Sequence, residues 1–255
     1  MTKNFPTIIL ILLVLLQSCA SKKDIIYFQD AKNQNAEKII YENSKIQPND
    51  ILSIIVNTPV PEASIAYNTR PLGGGAALDI ETLKLQGYLV TEEGNITFPV
   101  LGEIYVKNKT VQELGKDIKK ALEDGGHLKD VSINVRLLNA KVTVLGEVMR
   151  PGTFTFTEQS ITLPQALGYA GDLTILGQRK DILLLREEDG VLAVNHIDLT
   201  STEWLSSPLY FVKPNDVIVV NPNRTKVRSA GFIGNASVVL TIASLILSSV
   251  VLISR

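Results

Sequence analysis

The chain has 255 residues and a formal charge of −1, from 25 basic and 26 acidic side chains. That length holds one large domain or two modest ones, and the near-neutral balance with few aromatic residues gives no pull toward nucleic acid. One cysteine and two histidines exclude an internal disulfide and leave too few ligands for a cysteine-rich zinc site or a histidine-based catalytic centre.

The two densest apolar runs stand at the ends of the chain. Lys3 precedes an uninterrupted apolar stretch from Ile8 to Leu16, far short of the roughly 20 residues that span a bilayer as a helix. This fits the core of a signal peptide over residues 1–18. Leu16-Gln17-Ser18-Cys19 follows directly and resembles a bacterial lipobox, which implies acylation of Cys19 after cleavage before it. Several acyl chains hold a protein on a membrane where one does so only marginally. Ala20 and Ser21 carry no acidic side chain after the cysteine, and the expected destination is the outer membrane.

A polar spacer occupies residues 19–45. It ends in Ile46-Gln47-Pro48-Asn49-Asp50, a turn signal that runs into the apolar, β-branched segment Ile51–Val56. A near copy returns at Lys213-Pro214-Asn215-Asp216 before Val217–Val220. In each copy proline fixes φ, asparagine tolerates the left-handed region and aspartate accepts from turn amides.

Between the copies, Gly87–Thr91 and Ile96–Val106 flank Glu92-Glu93-Gly94-Asn95, which predicts a hairpin turn there, with Pro99 and Gly102 interrupting the second arm. Thr110 and Glu113 form a capping-box signature, Val111, Leu114, Ile118 and Leu122 recur at helical spacing, and Gly125-Gly126 stops the helix. Val131, Ile133, Val135 and Leu137 alternate as a strand, and Val142 and Val144 continue after a break at Asn139-Ala140. A turn at Pro151-Gly152, a short helix capped at Thr162, a hairpin and a closing strand complete the body.

This order of motifs resembles the outer-membrane polysaccharide export proteins. The match rests on Gln47–Asp50, on Phe98–Val106, on Val144–Gly152 and on Ala166–Gly171, and it covers most of the chain after Cys19. The resemblance implies an α+β protein: a small mixed polysaccharide export domain over residues 46–139 and a soluble-ligand-binding β-grasp domain over residues 140–224. It also implies a lipid-anchored outer-membrane subunit with its body in the periplasm. Such subunits form a ring, often of eight copies, that docks on an inner-membrane polysaccharide copolymerase or tyrosine autokinase and passes the glycan. Asn49 and Asn215 replace the family's frequent turn glycine, and Asp172 stands where a second glycine commonly closes the helix. A single β-grasp module implies a shorter ring stack than in longer relatives.

No residues stand out for chemistry. Gly73-Gly74-Gly75 lacks the Lys-Ser/Thr and the strand-loop-helix context of a phosphate cradle and reads as a loop. Asp50 and Asp216 read as turn residues rather than a pair of acids, and His127 and His196 as solvated or hydrogen-bonded. Trp204 and Tyr210 are the nearest aromatic pair, and packing accounts for them better than sugar stacking. With no nucleophile beside a base, an enzyme is not expected, nor is a cofactor.

The tail from Ser229 to Ser254 carries no charge. As a helix, Gly231–Ile253 extends about 34 Å, enough to cross a bilayer core. Gly234, Ser237, Thr241, Ser244 and Ser248 fall on one stripe of that helix. Small residues let helices approach closely, as in a barrel of identical helices, and a single-pass anchor with incidental serines is the alternative. Two functions therefore stand: a passive export conduit, or a periplasmic glycan-binding lipoprotein whose tail is a second anchor.

Overall fold

The computed structural model describes residues 22–31, 39, 41–68, 80–188, 190–230 and, in the tail, 240–242, 244, 245, 248, 249 and 252. Cys19, the triple glycine at 73–75, Gly234 and Ser237 lie outside the described residues. The body is a mixed α+β structure with two separate hydrophobic cores, one drawn from Ile46 to Val135 and the other from Ala140 to Val220.

In the first module, β1 (Ile51–Asn57) alternates inward Leu52, Ile54 and Val56 with outward neighbours, the period of a strand with one covered face. A 3-10 segment of just over two turns, Pro61–Tyr67, and helix α1 (Ile80–Leu85) follow. Strand β2 (Tyr88–Leu89) lies antiparallel to β1. The ribbon of β3 (Asn95–Phe98) and β4 (Gly102–Tyr105) is a second, separate sheet.

The turn expected at Glu92–Asn95 is present, but the strands on either side of it belong to different sheets. That turn, closed by the Thr91 N–H on the Asn95 carbonyl at 2.9 Å, carries the chain from one sheet to another. The true hairpin closes at Pro99-Val100-Leu101, with Phe98 opposite Gly102. On its other edge the chain before Glu92 continues the pairing with the first turn: the Val90 N–H donates to the Asp50 carbonyl at 2.9 Å and the Val90 carbonyl accepts from the Asn49 N–H at 3.0 Å.

Helix α2 (Val111–Asp124) begins with the expected capping box: Thr110 accepts from the Glu113 N–H, and the Glu113 carboxylate accepts from the Thr110 N–H at 2.8 Å. Leu114, Ile118 and Leu122 are buried on one stripe against the sheet, which β5 (Ser132–Leu137) completes beside β1.

The second module is a five-stranded sheet in the order β10-β9-β12-β6-β7. Its strands are β6 (Lys141–Gly146), β7 (Gly152–Thr155), β9 (Gly177–Glu188), β10 (Val191–Ile197) and β12 (Val217–Pro222). β6 and β12 run parallel, so a crossover must join them. It includes β8 (Ile161–Thr162), α3 (Leu163–Tyr169) and β11 (Phe211–Val212). Thr162 caps α3 as expected, with Gln165 completing the box, and the helix buries Leu163, Ala166 and Leu167. Gly146 closes β6 at φ 89°, where a Cβ would stand 2.0 Å from the Val220 carbonyl oxygen.

Part of the spacer is a strap docked on this module. Phe28 and Gln29 donate backbone N–H groups to the Leu199 and Thr200 carbonyls at 3.2 and 2.7 Å. The Phe28 ring stacks on Trp204 at 6.1 Å, and the Arg179 guanidinium lies 5.1 Å from the Tyr27 ring centre. The Tyr27 hydroxyl donates to Asp172 at 2.6 Å, and burial raises its pKa, with this carboxylate adding to the shift. Asp172 itself takes φ 71° and accepts from the Leu173 N–H, so its short side chain meets the left-handed geometry that a glycine would supply.

A short helix, α4 (Arg224–Ser229), leads toward the tail. The described tail residues Thr241, Ser244 and Ser248 are helical and exposed. Among the described residues no helix is long and apolar enough to cross a membrane.

Candidate functional site at the junction of the two modules

The repeated turn is the same object twice. Pro48 and Pro214 stand at the second position, and Asn49 and Asn215 at the third with φ of 68° and 70°, the order of a type II turn. Asp50 and Asp216 each close the turn with the backbone, at 3.2 Å to the carbonyls of Gln47 and Lys213. Each carboxylate then accepts from the N–H of that same residue, at 2.9 and 2.8 Å.

Both turns are held by the short connection between the modules. The Asn139 side chain donates to the Asn49 carbonyl and accepts from the Ile51 N–H, each at 2.9 Å. Two residues on, the Lys141 carbonyl accepts from the Asn215 N–H at 2.8 Å. The sequence reads Asn139-Ala140 as a mere break; it is the clasp between the modules.

The carboxylates differ in what faces them. Asp216, 1% exposed, receives Arg186 through Nε and Nη2 at 3.0 and 2.7 Å, and Arg186 also donates to the Phe211 carbonyl. Burial pushes the Asp216 carboxyl up, against the pull of Arg186 and of the Lys213 amide. Asp50, 3% exposed, forms no ion pair among the described residues. Burial pushes its pKa up to about 6, opposed only by the Gln47 amide.

Asp50 lines a cavity of about 230 Å³ between the modules. Pro214 from the second turn and Ala140 from the clasp also line it. Gln112 of α2 and Gln159 of the loop before β8 approach across it at 3.4 Å.

Residues 40–138 match the sequence pattern of the polysaccharide biosynthesis/export protein family, and residues 141–194 match the SLBB domain. Residues 40–138 thus resemble the export family's domain, and an SLBB-like segment follows it in the chain. The EPS I polysaccharide export outer membrane protein EpsA of Ralstonia solanacearum is 33% identical over 138 residues, covering 51% of this chain and 35% of that relative. Its counterpart from Ralstonia nicotianae is 33% identical over 150 residues, covering 56% and 38%. The match thus spans little more than a third of each relative's length.

Asn49 and Asn215 both adopt the left-handed conformation expected of them. Pro151 and Gly152 sit elsewhere, at the start of β7, where Gly152 pairs with Val144. Trp204 and Tyr210 pack at 6.1 Å, with Trp204 in the second core. His196 is exposed and 2.6 Å from Asp181; His127 meets Tyr67 edge-on at 6.4 Å. Among the described residues no cluster of His, Cys, Asp or Glu is placed to hold a metal.

Arg186 and the glutamines at 112 and 159 carry no motif. Arg186 did leave a signal: it continues the inward phase of Ile182 and Leu184 in β9. A cation on the covered face of a strand requires a buried partner.

Proposed function

We propose that the chain is a subunit of an outer-membrane conduit that passes an extracellular or capsular polysaccharide to the cell surface. The observation that carries this reading is the match to an export domain and an SLBB domain in series on this chain, together with its similarity to two proteins named polysaccharide export outer membrane proteins. Cys19 is the acylated residue, the body stands in the periplasm, and identical copies assemble as a ring. The tail, residues 229–254, supplies the transmembrane helix, with its small-residue stripe at the contacts between copies. An inner-membrane polysaccharide copolymerase or tyrosine autokinase delivers the glycan to the ring.

Electron micrographs of the full-length protein in detergent test the assembly. Closed rings are expected. Uniform monomers would favour instead a periplasmic glycan-binding lipoprotein with the tail as a second anchor. Loss of acyl label in Cys19→Ala is expected as well, because the chain has no second cysteine to accept the lipid.

A further inference from the structure

The two turns supply an internal control. At Asp216 the carboxylate is filled by Arg186 and by the Lys213 amide. At Asp50, equally buried, the one side-chain bond among the described residues is the Gln47 amide at 2.9 Å, and none of these residues places a cation where Arg186 would be. A buried carboxylate with unfilled acceptor capacity is costly to a fold, and here it borders a cavity rather than packed side chains.

A second buried polar atom beside the cavity has no partner among the described residues. Ser44 Oγ is shielded from solvent without a hydrogen bond, and Ser44 lines the same cavity. Across the space stand the amides of Gln112 and Gln159, which both donate and accept. The charged groups around the cavity balance: Lys45 and Arg136 against Asp50 and Glu158. Val111, Val135 and Leu137 give it an apolar floor.

We propose that this cavity is a subsite for one neutral sugar unit, with Asp50 and Ser44 binding its hydroxyls and Gln112 and Gln159 closing over it. A pyranose matches the lining in kind, having apolar C–H faces and a rim of hydroxyls that donate and accept. The balanced charge selects against a phosphate or an ammonium group. The volume, about 230 Å³, is under the roughly 300–1,000 Å³ of pockets for drug-sized ligands and admits a single unit. The proposal rests on the export reading only for the source of the sugar, a unit or end group of the transported glycan.

Saturation-transfer NMR on the full-length protein tests it, in a detergent without a sugar headgroup, with free N-acetylglucosamine and free glucose as probes at millimolar concentration. Transfer to the ring protons of at least one probe is expected. Asp50→Asn, which keeps an acceptor for the Gln47 amide, is expected to weaken binding about tenfold, as loss of a hydrogen bond to a charged group does. Gln112→Ala, on the exposed side of the cavity, is expected to weaken it several-fold with an unchanged melting temperature.

Absence of transfer from both probes would overturn the proposal. Equal affinity in the wild type and both variants would place the sugar elsewhere and overturn it too. Protection of Gln112 and Gln159 from hydroxyl-radical labelling by self-association, without sugar, would make the cavity a contact between copies and would also overturn it. The export reading is judged separately by surface polysaccharide in cells lacking the protein, so a failed subsite leaves that reading standing.

Discussion

The turns at Gln47–Asp50 and Lys213–Asp216 share their backbone and differ in their electrostatics. Proline, a left-handed asparagine and a self-capping aspartate recur in both, with matching hydrogen bonds. Yet one carboxylate is locked by an arginine from β9 and the other faces a cavity. A local motif dictates local geometry, while the charge state of its aspartate depends on whichever strand or domain is packed against it. In the second module the turn seals a core; in the first it borders a space that the junction leaves open.

Removing the difference is the strongest way to probe it. Arg186→Met leaves Asp216 buried without a cation, and a loss of about 3–5 kcal/mol in urea unfolding is expected. Adding Asp216→Asn to that variant is expected to restore at least about 1 kcal/mol, since the stranded charge is then gone. A loss under about 1 kcal/mol for Arg186→Met would mean that the pair is no better than a surface contact.

Asp50 offers the converse experiment. Its carboxyl is raised from 3.8 to about 6 by burial, so the folded state holds the proton more tightly than the unfolded chain. Its stabilising contribution is fully present below the unfolded value and is lost as pH rises through about 6. Lys45, Arg136 and Glu158 border the same cavity, but burial sets the shift. Asp50→Asn cannot ionise, so it is expected to gain on the wild type by up to about 3 kcal/mol between about pH 4 and pH 7. Parallel stability curves for the two proteins would show that this carboxylate is not strained by its burial.

The smallest effect concerns what the turns share. Asn49→Ala and Asn215→Ala force a Cβ without a compensating amide into φ near 70°, for about 1 kcal/mol each. The glycine variants are expected to stay within about 0.5 kcal/mol of the wild type in the same melts. Unequal costs for the two alanine variants would show that the clasp at Asn139 supports the first turn beyond its own geometry.

Elements whose cause is local were legible in the sequence: the capped helices at Thr110 and Thr162, the inward alternation of Val142 and Val144, the left-handed asparagines. Features set by distant partners were not. Tyr88–Leu89 reads as half of a hairpin because nothing nearby says that it pairs with β1 while β3 pairs with β4. Tyr27 and Phe28 stood out little within a polar spacer, and their docking depends on Asp172, Arg179 and Trp204, more than a hundred residues away. The cavity arises only when two modules meet, so no single segment encodes it. Arg186 lay between these cases: its inward phase was visible, its partner was not.

Surface glycan tests most directly the proposal that this chain carries polysaccharide across the outer membrane. Cells lacking the protein are expected to lose surface polysaccharide, to retain the polymer within the envelope, and to recover export when the wild-type chain is restored. Undiminished surface polysaccharide in the deletion strain, with no polymer retained, would contradict the account.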